Sequence, residues 1–172
     1  MRMTFLLALF ALTACGSTSV EEYAGNKPTL DIREYLNGDL EAWGAVINMD
    51  GSADPQFHVK MHGHWEGNTG TLDEEFTYTN GEKKYRKWTF HMIDDHHFTG
   101  TAADVVGVGE GKQYGNAVNM QYVLTVPYGD GSVDLAMDDW LYRIDDRHVI
   151  NRTEMRKLGI KVGELVIAFR RN

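Results

Sequence analysis

The sequence contains a single cysteine, Cys15, among its 172 residues. If Cys15 is modified, the folded domain has no disulfide, no cysteine nucleophile and no cysteine-rich metal site. The chain is also short of positive charge, with 17 basic against 25 acidic side chains and a formal net charge of −8. A chain this acidic binds nucleic acid poorly and is repelled by an anionic lipid surface.

Long apolar runs are scarce as well. The run Phe5–Leu12 is too short to span a bilayer stably. With Arg2 before it, the run is typical of a signal peptide, which we predict over residues 1–14. It ends in Leu12–Cys15, read Leu-Thr-Ala-Cys, the lipobox pattern of bacterial lipoproteins, in which the cysteine thiol takes a diacylglycerol. The alternative is an ordinary secretory signal that happens to contain a cysteine.

Cys15 is therefore the predicted lipid attachment site, and residues 15–28 are the predicted lipidated tether. Two or three acyl chains hold a protein far more firmly than one, because each buried methylene contributes about 0.8 kcal/mol. Gly16, in place of aspartate after the cysteine, resembles lipoproteins sorted to the outer membrane. We expect an outer-membrane anchor with the domain, residues 29–172, in the periplasm.

One short helix pattern precedes a long series of strand patterns. Thr29 or Asp31 can cap the start of this helix and Gly38 its end, so that its apolar side chains would cover one end of a sheet. Turn signals divide the rest into nine predicted strands. They are Leu40–Asn48, Phe57–Trp65, Leu72–Thr79, Lys84–Ile93, Phe98–Val106, Ala117–Val126, Val133–Ile144, His148–Arg156 and Glu164–Arg171.

Short connections make consecutive strands antiparallel neighbours. A meander of this length has exposed edges unless it closes on itself. The sequence therefore predicts an all-β fold, an antiparallel up-and-down barrel of about eight to nine strands with a short N-terminal helix. An open β-sandwich is the alternative.

The hairpin around Asp145-Asp146 supplies the first candidate site residues. With a two-residue turn, Asp139 lies opposite Arg152 on a face that also carries aliphatic side chains. Such an acid–arginine pair is either a structural staple or the polar floor of a pocket.

The Asn80-Gly81 hairpin, counted in the same way, sets Glu75 opposite Arg86 on the face that carries Phe90. If that face points inward, the barrel could grip a carboxylate or phosphate head group, because the planar guanidinium makes paired hydrogen bonds. The alternative is a pair of cross-strand staples without a ligand. A one-residue slip in register would turn every side chain to the other face.

Aromatic side chains could line the apolar part of such a pocket or simply fill the core. They are Trp43, Trp65, Trp88, Tyr122 and Trp140. The predicted ligand-binding residues are Glu75, Arg86, Trp88, Asp139, Trp140 and Arg152.

Two further patterns are rejected as sites. His58, His62 and His64 share one strand face with Lys60, which would repel a cation, so we predict a solvated polar face and no metal. Gly107–Gln113 lacks the spacing of a phosphate loop and is interpreted as a flexible connection. We predict no catalytic residue and no cofactor.

A series of motifs spans nearly all of the predicted mature chain. They are Leu40–Gly44, Gly70–Phe76, Asn80–Glu82 with Arg86–Trp88, Asp104–Gly107, Gly115–Ala117, Asp138–Tyr142, and Asn151-Arg152 with Lys157–Gly159. In this order they resemble the proteobacterial lipoprotein family of domain of unknown function 3833. The resemblance implies a lipocalin-like barrel on a lipid anchor and a lipid-related ligand, and it carries no activity.

Three functional hypotheses follow. The first is a lipid-anchored, periplasm-facing barrel that binds a small amphipathic molecule. The second is a non-catalytic envelope interaction scaffold with a filled barrel. The third is a lipid-modifying envelope enzyme that uses Asp138, Asp139 or Glu75.

Overall fold

The computed structural model describes residues 18–172, where ten antiparallel strands follow one another around a closed barrel. A 3-10 helix, Val20–Tyr23, and a short α-helix, α1 (Ile32–Tyr35), precede the strands. The strands are β1 (Gly38–Asn48), β2 (Ala53–Glu66), β3 (Thr69–Tyr78), β4 (Lys83–Met92), β5 (His97–Thr101), β6 (Gly109–Tyr114), β7 (Ala117–Tyr128), β8 (Gly131–Arg143), β9 (His148–Lys157) and β10 (Ile160–Arg171).

The barrel closes where β1 pairs with β10, from Leu40 opposite Arg171 to Asn48 opposite Gly163. Every strand of the described chain therefore has a hydrogen-bonded neighbour on both sides, which removes the exposed edges of a meander. The predicted all-β, antiparallel up-and-down barrel is confirmed and agrees with the lipocalin-like fold that the family resemblance implied. The open sandwich is wrong, and the strand count is ten instead of eight to nine.

The additional strand is β6, which lies in the glycine-rich stretch that we predicted to be a flexible connection. Gly109 and Gly111 point into the barrel, where a Cβ atom on Gly111 would overlap the Phe98 ring. Glycine weakens a strand in isolation. Here the absent side chains make room for the aromatic core, so the prediction of a flexible connection over these residues is wrong.

Strand periodicity correctly divides inside from outside along β2. Phe57, Val59 and Met61 are buried in the core, while the side chains between them lie on the outer wall. The core continues around the barrel with residues of the same character. These include Leu40, Leu72, Trp88, Phe90, Met92, Phe98, Val118, Met120 and Val149.

One end of the barrel is covered by α1, as the sequence predicted. The helix has four residues and begins after Asp31, whose carboxylate accepts a hydrogen bond from the Arg33 amide at 2.8 Å. Leu30, Tyr35 and Leu36 are buried against the core. Their burial closes this end.

Arg143 holds the covered end together. This buried side chain donates hydrogen bonds to the carbonyl oxygens of Thr29 at 2.6 Å and Asp145 at 3.1 Å. Its guanidinium group also lies 5.9 Å from the centre of the Tyr35 ring. The chain before α1 is thereby tied to the β8–β9 connection.

The opposite end is an open mouth. Because the strands alternate in direction, five connections surround it. They are residues 49–52, 79–82, 102–108, 129–130 and 158–159.

The predicted signal peptide and Cys15 lie outside the described residues. Part of the predicted tether, Val20–Tyr23, packs on the outer wall, where the Tyr23 ring centre is 6.1 Å from that of Trp140 and 5.5 Å from that of Tyr142. Between residues 18 and 172, no helix has the length and apolar character that a bilayer crossing requires.

Gly63 of β2 lies directly beneath the end of α1, where a Cβ atom would overlap the Leu36 carbonyl oxygen. We predict that Gly63→Ala lowers the free energy of unfolding by about 1–3 kcal/mol, because backbone must move to relieve the overlap. Denaturant unfolding measures the change. Gly131→Ala is the matched control, since a Cβ atom there meets nothing within 4 Å. Equal losses of unfolding free energy in the two variants would contradict the close approach of Gly63 to the Leu36 carbonyl oxygen.

Candidate functional site

The Asp145 hairpin contains a three-residue turn, not the predicted two-residue turn. The Asp145 carboxylate accepts hydrogen bonds from the backbone amides of Arg147 and His148, each at 2.8 Å, which supports the wider turn. Asp94 bonds the amides of His96 and His97 in the same way in the β4–β5 connection. The extra residue shifts the strand register by one.

This shift separates the predicted pair. Asp139 lies opposite Thr153 and points inward, whereas Arg152 lies opposite Trp140 on the outer wall. The exposed Arg152 guanidinium pairs with Glu164. The predicted Asp139–Arg152 pair is therefore wrong, and neither Trp140 nor Arg152 faces the interior.

The second hairpin is shifted for a related reason. Gly81, with φ of +83°, ends a three-residue turn of the kind that adds one residue to a hairpin. Glu74 therefore lies opposite Arg86. Glu75 faces outward, where its carboxylate pairs with Lys83 at 2.6 Å. The predicted Glu75–Arg86 pair is wrong, and Glu74 takes the inward position.

Three of the six predicted residues, Arg86, Trp88 and Asp139, do line the interior. Around them the fold gathers further polar residues, of which the sequence analysis named only Tyr122 as a possible lining side chain, and we call the whole set the polar belt. The polar belt consists of Glu74, Arg86, Asp104, Tyr122, Asp139, Asn151 and Thr153. The glycine at the end of the Asn80-Gly81 turn was the signal that could have revealed Glu74.

Arg86 is the positive centre of the polar belt. Its Nε and Nη2 atoms donate to the Asp104 carboxylate at 3.0 and 2.7 Å, and Nη1 lies 3.8 Å from Glu74 Oε2. The guanidinium also covers the Phe76 ring at 5.5 Å. Burial opposes the charge, but the two carboxylates outweigh it and raise the pKa of Arg86. The group stays charged inside the barrel.

Asp139 is held by neutral donors. Its carboxylate accepts hydrogen bonds from Thr153 Oγ1 at 2.9 Å, from the Asn151 amide and from the Tyr122 hydroxyl at 3.4 Å. Burial nevertheless raises the pKa of Asp139 to about 6, because these bonds compensate only part of the lost hydration.

Glu74 is the least satisfied member of the polar belt. Its side chain is 11% exposed, and Oε2 has no hydrogen-bond partner among the described residues. Burial raises the pKa of Glu74 to about 7, although the Arg86 charge acts against the rise. Two interior carboxyl groups therefore change charge close to neutral pH.

The polar belt lies between two spaces that share Arg86. On the covered side is a cavity of about 110 Å³ with a largely apolar lining. On the open side is a mouth basin of about 1130 Å³. The mouth basin has apolar walls that include Val46, Val126, Val133, Leu135, Met155 and Val162.

The histidines of β2 lie on the outer wall. His62 Nδ1 is 2.6 Å from an Asp39 oxygen, and His64 Nε2 is 3.3 Å from a Glu66 oxygen. Over residues 18–172, no three histidine, aspartate or glutamate side chains come together as a metal-binding group.

The model of the family described as protein of unknown function (DUF3833) matches residues 9–171, so the chain belongs to that family. None of the curated proteins matches it. Among solved structures, the S-type phycobiliprotein lyase CPES from Guillardia theta has a TM-score of 0.59 at 9% identity, covering 90% of this chain and 99% of that one. Rv2717c from M. tuberculosis has a TM-score of 0.61 at 13% identity, covering 86% and 99%. These identities show the fold alone.

The raised pKa of Glu74 predicts a pH-dependent stability. Below pH 4.5 the Glu74 carboxyl group is protonated in the folded and unfolded chains alike. Between pH 4.5 and about pH 7 only the unfolded chain loses this proton, and the loss lowers the free energy of unfolding. We predict that Glu74→Gln removes this loss, so that its stability relative to wild type rises by about 1–3 kcal/mol between pH 4.5 and 8. Denaturant unfolding across that range measures the difference.

Glu75→Gln is the control on the neighbouring residue. The Lys83 hydrogen bond lowers the pKa of Glu75, so the folded and unfolded chains differ in the protonation of Glu75 only below about pH 4.5, and the stability of this variant relative to wild type should stay nearly constant from pH 4.5 to 8. Parallel pH profiles for the two variants would refute the assignment of Glu74 to the interior.

Proposed function

We propose that this member of the DUF3833 family is a lipid-anchored barrel of the bacterial envelope that binds one small amphipathic molecule in its mouth basin. The observation that carries the proposal is a basin of about 1130 Å³ with apolar walls and a charged floor. Small-molecule sites are typically apolar clefts of about 300–1,000 Å³ with a few polar groups that orient the ligand.

The two surfaces of the mouth basin suit the two parts of such a molecule. Side chains such as Leu135 and Met155 would cover an apolar body, at about 25 cal/mol per Å² removed from water. Arg86 and Asp104 at the floor would meet its polar end. The distant barrels that share the fold add no ligand identity to this proposal.

The anchor in this proposal is Cys15, and the location is the periplasmic side of the outer membrane. Val20 is buried against the barrel, and it lies five positions after the predicted acylated cysteine. Five extended residues reach less than about 18 Å. In this proposal the acyl chains on Cys15, and not the charge of the protein, hold the acidic domain close to the bilayer.

A second candidate is the lipid-modifying enzyme, favoured by the near-neutral pKa values of Glu74 and Asp139. A general acid or base works best when its pKa is close to the working pH. The scaffold with a filled barrel fits less well, because the mouth basin is not filled. Turnover that disappears in a folded Asp139→Asn variant would distinguish the enzyme from the binding protein.

Residues 18–172 contain all ten strands, α1 and the core, so this segment can be tested by itself. We predict that native mass spectrometry, after incubation with a membrane lipid extract, detects one bound small molecule. Leu135→Trp should abolish the bound mass by filling the basin, whereas Val166→Trp on the outer wall should retain it. A wild-type domain that stays empty, with unchanged tryptophan fluorescence on adding fatty acids, would refute the binding function.

The anchor is tested separately in the full-length protein. Cys15→Ser should remove the acyl mass from the mature product and release the protein from the membrane fraction, while Ser19→Ala should change neither. Intact-mass measurement and membrane fractionation give both results. A wild-type product without acyl chains would rule out the lipid anchor and leave ligand binding untouched.

A further inference from the structure

We propose that the ligand of the mouth basin is an anion, and that its head group displaces the Asp104 carboxylate from Arg86. This inference rests on the proposed function and specifies the head-group chemistry, a carboxylate or a phosphate. It follows from the charges that line the basin and from the way in which Arg86 is already engaged.

The charges of the mouth basin are opposite to those of the chain as a whole. The protein carries a net charge of −8, yet the charged residues that line the basin are Lys84, Arg86 and Lys157 against the single acid Asp104. At the rim, Lys84 Nζ lies 3.4 Å from Glu82 Oε1. Lys157 Nζ donates a hydrogen bond to the Asp134 backbone carbonyl. A basin with this excess of positive charge favours an anion over a cation.

Asp104 shows how an anion would be held. Its Oδ1 accepts a hydrogen bond from Arg86 Nε at 3.1 Å and its Oδ2 accepts one from Arg86 Nη2 at 2.7 Å, the paired geometry that guanidinium makes with any carboxylate or phosphate. The Asp104 side chain is 37% exposed toward the mouth, so a ligand reaching the floor meets it directly. Exchange of one anion for another keeps Arg86 neutralised, and that condition makes a buried charge tolerable.

The exchange needs only a side-chain movement. The backbone around Asp104 is tied to β7, because the Asp104 carbonyl accepts from the Thr125 amide at 2.9 Å and the Val106 amide donates to the Val123 carbonyl at 2.9 Å. The carboxylate can therefore turn toward solvent while its connection stays in place. Asp104 thus occupies the ligand's position when no ligand is present.

The carboxyl groups on the deep side of Arg86 do not oppose this arrangement. Glu74 and Asp139 are the acids nearest to the floor on that side, and burial raises their pKa values to about 7 and about 6. An approaching anion raises them further, since like charges disfavour ionisation. Both groups can accept protons, and their repulsion of the head group is then removed.

The experiment is calorimetric titration of residues 18–172 with probes of one chain length: dodecanoate, dodecyl phosphate, dodecanol and dodecylamine. We expect either anion to bind at least about tenfold more tightly than dodecanol or dodecylamine. This difference in affinity corresponds to the contribution of one charge-assisted hydrogen bond. The ratio of the dissociation constants of dodecanoate and dodecyl phosphate distinguishes a carboxylate from a phosphate ligand.

Variants locate the binding position. Asp104→Asn should strengthen dodecanoate binding about tenfold and leave dodecanol binding unchanged, because the internal competitor is weakened. Asp130→Asn is the matched control, since it removes the same charge from a mouth connection away from the polar belt. Arg86→Gln should weaken dodecanoate binding about tenfold or more. Lys84→Gln should weaken it to a smaller degree, and this exposed position tests the charge without disturbing the core.

Each outcome tests a different part of the proposal. Equal binding of all four probes, or tightest binding of dodecylamine, would overturn the anion inference and leave the mouth basin as a ligand site. Equal gains from Asp104→Asn and Asp130→Asn would overturn displacement at Arg86. Failure of every probe to bind a domain with a native circular dichroism spectrum would instead count against the proposed function.

Discussion

Closure of the barrel through the pairing of β1 with β10 is the constraint on which the rest of the structure depends. Strand side chains alternate between two faces, so a closed cylinder assigns each of them to the inside or to the outside. The pairing from Leu40–Arg171 to Asn48–Gly163 leaves no edge at which a strand could slip. The inward position of Arg86 and the outward position of Arg152 both follow from this closure.

The two ends of the cylinder use polar groups for opposite purposes. At the covered end, Arg143 bonds backbone carbonyls and lies over Tyr35, so its charge serves the architecture. At the open end, Arg86 bonds a carboxylate that solvent can reach. A ligand cannot replace backbone carbonyl oxygens as the partners of a buried arginine. It can replace an exposed carboxylate. This difference supports the proposal that a ligand binds at the mouth.

The likeness to barrels at 9% and 13% identity illustrates how much of this fold is independent of particular side chains. A closed meander requires alternation, turns and enough small residues to let large ones pack. The polar belt adds nothing to these requirements, and buried ionisable groups carry a desolvation cost. The proposed ligand would account for its presence, and fold similarity supplies no argument about that ligand.

The sequence by itself determined the strand alternation, the antiparallel meander, the short capped helix and the apolar cover of one end. These depend on local periodicity and turn chemistry, as in Phe57–Trp65 and at Asp31. Only the tertiary structure decided the strand register, because a three-residue turn at Gly81 moves Glu74 inward and Glu75 outward. It also made a strand of Gly109–Tyr114, since the Phe98 ring needs the space of a missing side chain. The meeting of Asp104 with Arg86 likewise depends on how an irregular connection docks on a distant strand, and local patterns carry no record of that contact.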